Sequence, residues 1–143
     1  MYRLKDIQEI RFLPNDKITF PTYEDIKIFI TETMVRRKGK YFFPNKGMNC
    51  KENTLVFFQY NGELVAAAML KNCVKTTCYD ENGEIYKGYF IFDMDTMIFF
   101  NTPITADEIR NIDSTFKAFY QSKRKTNIIY LNDIINLIET RRV

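Results

Sequence analysis

A chain of 143 residues that is 45% apolar, with 13 Phe and 9 Tyr, is long and apolar enough for one packed core, expected to span residues 1–143 as a single domain. Five Gly and four Pro exclude a low-complexity or disordered class, and the absence of His removes the commonest general base and every Ser/His or Cys/His nucleophile pair. The net charge of +3 is uneven: Arg110 to Val143 carries seven basic against three acidic residues, or +4, and the rest of the chain is −1.

That basic end points to an anionic partner, with a solvated helical surface as the plainer alternative. The three cysteines, Cys50, Cys73 and Cys78, are odd in number, which fits a reducing compartment. Without His they do not complete a zinc site, so neither metal nor cofactor is expected. No run approaches the roughly 20 apolar residues of a membrane span. The segment MYRLKDIQEI has no apolar signal-peptide core, so a cytoplasmic location without a membrane partner is expected.

Along the chain, Met1–Phe20 is ambiguous: Ile7, Ile10 and Phe12 suit a strand and Pro14-Asn15-Asp16 a turn. Thr22 with Asp25 three residues on starts a helix, whose buried stripe is Ile26, Phe29, Ile30 and Met34 and which Gly39 can end. Tyr41-Phe42-Phe43 then leads into a polar loop, unusual for a plain connector. Thr54–Tyr60 reads as a strand covered on both faces. Asn61-Gly62 suits a type I′ turn into a second strand, Leu64–Leu70, with small residues at Ala66–Ala68.

After a turn at Asp80–Gly83, Tyr86–Asp93 alternates, with Tyr86, Gly88, Phe90 and Phe92 on one face, and Gly88 marks a bend or bulge. Thr96–Phe100 reads as a separate strand. Thr105 and Glu108 form a capping box for a helix with the stripe Ile109, Ile112, Phe116 and Phe119. Ser122–Thr126 is a basic break, Asn127–Leu131 is short strand or extended chain, and Ile134, Ile135 and Ile138 mark a last helix. Helices flanking a block of strands give an α+β class and a small, curved β-barrel.

No Gly-rich phosphate loop occurs. Asp93-x-Asp95 suits a turn more than a cation site, and Asp80, Glu84 and Lys87 lack a diagnostic nuclease spacing, so no catalytic residues are assigned. The aromatics carry more. Bases outside a duplex are bound by aromatic faces and a few polar groups at the base edge. Tyr41, Phe42, Phe43, Tyr60 and Tyr89 could supply faces, and Asn45, Asn49, Gln59 and Asp93 edges, although core packing competes for every Phe.

The stretches LVFFQYNGELVAAAML, YKGYFIFD and FFNTPITADEI, behind a helix and an aromatic-polar loop, resemble the PUA-like superfamily, which includes EVE, YTH, ASCH and SRA-type domains. The resemblance spans roughly Lys40–Leu137. It looks closest to small PUA-like modules found alone or fused to HNH-type restriction endonucleases. It implies a PUA-like curved β-barrel with flanking helices, binding DNA or RNA by holding one modified base in an aromatic pocket. EVE and YTH members usually build that pocket with Trp. This chain has none, so Phe or Tyr would stand in.

The expected function is therefore a non-enzymatic nucleic-acid-binding module reading a modified base in a defence or anti-defence setting, with any effector a separate protein. The alternative is a protein-binding inhibitor or adaptor that keeps the barrel as a scaffold. The expected pocket comprises Phe42, Phe43, Asn45, Asn49, Tyr60, Tyr89 and Asp93. Phosphate contacts are expected from Lys46, Arg110, Lys117, Lys123, Arg124 and Lys125.

Overall fold

The computed structural model describes residues 2–45, 47, 51, 53–119, 124–126 and 128–141. Strand β1 (Glu9–Asn15) comes first. A helix then starts as α1 (Tyr23–Ile28), passes through a π-helical stretch (Phe29–Thr33) and ends as α2 (Met34–Arg36). Strands β2 (Lys40–Phe43), β3 (Thr54–Tyr60) and β4 (Glu63–Val74) follow, then a short ribbon of β5 (Cys78–Tyr79) and β6 (Ile85–Tyr86). The chain closes with β7 (Gly88–Thr105), α3 (Ala106–Ile112), β8 (Arg124–Thr126) and α4 (Leu131–Thr140).

Six strands form one sheet in the order β2-β7-β4-β3-β1-β8. Strand β3 is central and buried along its whole length, as its continuous apolar run requires. The β3–β4 hairpin turns at Asn61 (φ 50°) and Gly62 (φ 77°), both in the left-handed region a type I′ turn needs. Across it, Phe57 and Phe58 stand opposite Ala67 and Ala66, so large rings meet small neighbours. The ambiguous N-terminal segment is a strand, and it pairs parallel to β3 with Glu9 opposite Thr54 and Asn15 opposite Tyr60. Pro14 and Asn15 end that strand rather than forming the turn; the turn is one step later, at Asp16–Thr19.

Strand β7 corrects two expectations. The strands expected at Tyr86–Asp93 and Thr96–Phe100 are one 18-residue strand from Gly88, with Tyr86 on the separate ribbon. Three register shifts against β4 let it bend without breaking, which curls the sheet. Gly88 is no bulge. A Cβ there would lie 2.1 Å from the Val74 carbonyl oxygen and 2.7 Å from the Phe43 ring, so glycine permits a close approach.

Apolar residues fill both faces of the sheet. On one face Ile10, Phe12, Leu55 and Phe57 pack under α3 and α4. On the other, Leu13, Val56, Phe58, Phe90 and Phe92 pack against Ile26, Ile30 and Met34 of the first helix. Both expected capping boxes form, Thr22 with Asp25 and Thr105 with Glu108. Helix α3 is shorter than its apolar stripe. It stops at Asp113, whose carboxylate accepts the Thr115 N–H at 3.0 Å. Phe116 and Phe119 lie beyond the helix but still reach the core, with rings 6.2 and 5.5 Å from Phe12. In the basic break, Arg124–Thr126 pairs antiparallel with β1, and Ile128–Tyr130 is a 3-10 turn.

Ile109 is fully buried, whereas Ile112 is only half-buried. An Ile109→Asp change should therefore abolish the folded state by burying an unpaired carboxylate, and Ile112→Asp should be milder. Circular dichroism melting checks this. A cooperative Ile109→Asp transition near the wild-type temperature would mean that α3 presents a different face to the core.

Candidate functional site

An aromatic-lined opening lies where the end of β1, the end of β2 and the π-helical turn converge. It is a cleft of about 530 Å³, within the range of small-molecule sites. Its walls come from segments far apart in sequence: Asn15, Asp16 and Thr19 after β1, Phe29 and Arg37 from the first helix, Tyr41–Asn45 from β2, and Tyr86 from the ribbon.

Strand alternation divides the aromatic triplet. Tyr41 and Phe43 turn towards the interior, and Phe42 takes the other side. The Tyr41 ring sits 6.0 Å from Phe58 and 5.8 Å from Phe29, and its hydroxyl donates to Asn15 Oδ1 at 2.6 Å. Burial pushes the Tyr41 hydroxyl pKa well above the usual tyrosine value, with the nearby Asp16 charge adding to the shift, so it stays a neutral donor. Asn15 in turn donates to the carbonyls of Leu13 at 3.0 Å and Gln59 at 3.1 Å. The amide is thus a brace holding the cleft floor to β3.

Phe42 forms the other wall. Its ring lies 5.0 Å from Tyr86 and 5.7 Å from Tyr89. The Arg37 guanidinium sits 5.1 Å above the Phe42 ring and 5.9 Å from Phe29, a cation–π arrangement that bridges both aromatic sides. Arg37 Nε also donates to both carboxylate oxygens of Glu81, at 3.1 and 3.2 Å, which ties the β5–β6 ribbon to the helix. The Glu81 carboxyl is held below its usual pKa, chiefly by the hydrogen bond from Arg37. Asp16 is likewise lowered, first by the Thr19 backbone N–H that donates to it at 2.7 Å, so it is a carboxylate at neutral pH. The cleft thus offers aromatic faces, an anionic acceptor at Asp16 and the exposed Asn45 amide.

Of the residues expected in the pocket, the structure brings Phe42, Phe43 and Asn45 to the cleft wall. Phe43 is buried, its ring 4.8 Å from Phe90, so it backs the wall and has no free face. Tyr89 reaches the site only through Phe42, and the Lys40 ammonium lies 5.0 Å from its ring. Tyr60 is buried and donates to the Phe20 carbonyl at 2.7 Å, which makes it a support beneath the cleft.

Asp93 is elsewhere. It lines a separate cleft with Tyr2, Lys71 and Thr96, and its carboxylate accepts the Asp95 N–H at 3.1 Å. It stands opposite Met69 of β4, whereas Tyr89 stands opposite Phe42 of β2, so the two share β7 but not a cleft. Asn49 and Lys46 lie outside the described residues, as does Lys123.

Of the expected phosphate contacts, Arg110 stands on α3, on the sheet face opposite the cleft's helix, and is engaged with Asp107 and the Lys117 carbonyl, both at 2.7 Å. Arg124 and Lys125 stand in β8, opposite Phe12 and Arg11. The nuclease-like Asp80 closes the ribbon turn by accepting the Asn82 and Glu84 N–H groups. Among the described residues no cluster of three metal-ligating side chains occurs, and no helix is long and apolar enough to cross a membrane.

No family model matches the chain, and no curated protein matches its sequence. Its fold has solved counterparts. The YTH domain of Zygosaccharomyces rouxii MRB1, in a crystal structure with N6-methyladenosine RNA, superposes with a TM-score of 0.57 at 11% identity, over 92% of this chain and 87% of that one. The architecture is a YTH-like, PUA-type α+β fold: a curled half-barrel of mixed strands with flanking helices. The likeness carries nothing of the restriction-endonuclease association.

Proposed function

We propose that this protein is a non-enzymatic nucleic-acid-binding module that takes one modified base of a single strand into the cleft. The observation that carries the reading is the open aromatic-and-acidic cleft between Phe29, Tyr41, Phe42 and Tyr86, with Asp16 at its edge. Aromatic faces bind the π-face of any base, and a methyl group adds apolar contact. N6-methyladenine keeps one exocyclic N–H, a donor matched by the ionised Asp16. The YTH-like fold, in a solved counterpart bound to N6-methyladenosine RNA, supports the same ligand class. An adaptor that kept only the barrel shape would need no open cleft, and here a cleft of about 530 Å³ stays open while Phe43 is buried behind its wall.

A binding screen tests the reading. Fluorescently labelled single-stranded RNA and DNA, unmodified or carrying N6-methyladenine, 5-methylcytosine or 5-hydroxymethylcytosine, are titrated by anisotropy. At least one modified strand, N6-methyladenine foremost, should bind about tenfold or more tighter than its unmodified match. Equal affinity across every pair would defeat the proposal.

A further inference from the structure

The turn Asp16–Thr19 carries a side chain that the fold does not use. Ile18 is 93% exposed, the most exposed large apolar residue among the described ones. It is rigidly presented: the Asp16 carboxylate accepts the Thr19 N–H at 2.7 Å, and the Asp16 carbonyl accepts the Phe20 N–H at 3.1 Å. Asp16, Thr19 and Phe20 all line the cleft, and Lys17 and Ile18 lie between them in the chain without lining it. On the ribbon, Tyr79 (63% exposed) and Ile85 (60%) pair with each other on the face opposite Tyr86 and do not line the cleft. Among the described residues one other large apolar side chain is as exposed, Ile129 at 74%, and it does not line the cleft.

Chain continuity supplies the occupant. A base drawn into the cleft stays bonded through its sugar and phosphates to two neighbours, which must lie at the rim. Extruding it also strips a stacking face from each neighbour, and apolar side chains commonly fill such a gap. We propose that the Asp16–Thr19 turn is a strand wedge. Ile18 packs on the base next to the one in the cleft, and Lys17 meets the adjoining phosphate. The inference rests on the nucleic-acid reading above and adds a second contact surface, which makes affinity depend on the flanking nucleotides.

The test compares a nucleoside with a strand. N6-methyladenosine, and a nine-nucleotide RNA carrying N6-methyladenine at its centre, are titrated into wild-type protein and into Ile18→Ala, Lys17→Ala and, as a control, Ile129→Ala; the titrations are followed by NMR and by anisotropy. Nucleoside affinity should be unchanged in all three variants. Strand affinity should fall about three- to tenfold in Ile18→Ala, as expected for loss of one aliphatic contact with a base, and stay at the wild-type level in Ile129→Ala. Lys17→Ala should weaken the strand about two- to fivefold and flatten its salt dependence. If the wild type binds both ligands and Ile18→Ala matches it on the strand, the wedge is wrong while the base-binding reading stands, and the turn is left to a protein partner. If Ile18→Ala loses nucleoside and strand equally, Ile18 props the cleft and the wedge is again overturned. A wild type that binds neither ligand defeats both.

Discussion

Replacing Gly39 by alanine should lower stability by roughly 2–6 kcal/mol, the sum of backbone strain and a hard steric overlap. Gly39 has φ +89°, directly after Lys38 at φ 57°, so two successive residues are left-handed where α2 ends. The Gly39 N–H donates to the Met34 carbonyl at 2.8 Å, and its own carbonyl accepts the Phe92 N–H at 2.9 Å. A Cβ here would lie 2.1 Å from the Phe92 carbonyl oxygen. Phe92 is fully buried in β7 and cannot retreat without opening the core. Because a domain's whole stability is about 5–15 kcal/mol, the variant should be marginal. Gly62→Ala is the matched control. Its φ of +77° is similar, but a Cβ there meets nothing within 4 Å, so it should cost only about 1 kcal/mol. Urea denaturation of both proteins decides the point. Equal losses would mean that the backbone angle alone matters and that the Phe92 contact relaxes.

The same region shows how far the sequence could be read. Signals confined to neighbouring residues were legible: the two capping boxes, the Asn61-Gly62 turn, the apolar run of β3 and the Ile134, Ile135 and Ile138 stripe of α4. Gly39 was legible as a helix end, but its contact with Phe92, 53 residues away, was not. The parallel pairing of β1 with β3 was likewise hidden, because parity along a strand does not name its neighbour.

The site was half visible for the same reason. The aromatic loop pointed to β2, yet which of Phe42 and Phe43 turns inward depends on pairing with β7, where Phe43 falls opposite Gly88. Asn15 and Asp16 looked like turn residues, and Arg37 stands just before the helix-ending Gly39. Nothing local placed them around one cleft. Asp93 was read on one strand face with Tyr89, but Tyr89 falls opposite Phe42 of β2 while Asp93 lines a separate cleft with Tyr2 and Thr96.

The largest functional effect is expected at Phe42. Phe42→Ala removes the wall that Arg37 and Tyr86 hold at 5.1 and 5.0 Å. Stacking of one base on an aromatic face contributes about 1–3 kcal/mol, so strand affinity should fall by roughly one to two decades. The ring is half-buried and outside the inner core, so the melting temperature should change little. Phe43→Ala should behave in the opposite way. Its ring packs on Phe90 and against Gly88, and losing a core Phe costs about 3–5 kcal/mol of stability. Phe42→Tyr keeps an aromatic face and should restore binding. Anisotropy titrations and thermal melts of the three variants separate the roles. Wild-type affinity in a folded Phe42→Ala protein would remove this wall from the site, and a large stability loss without a binding change would make Phe42 a core residue as well.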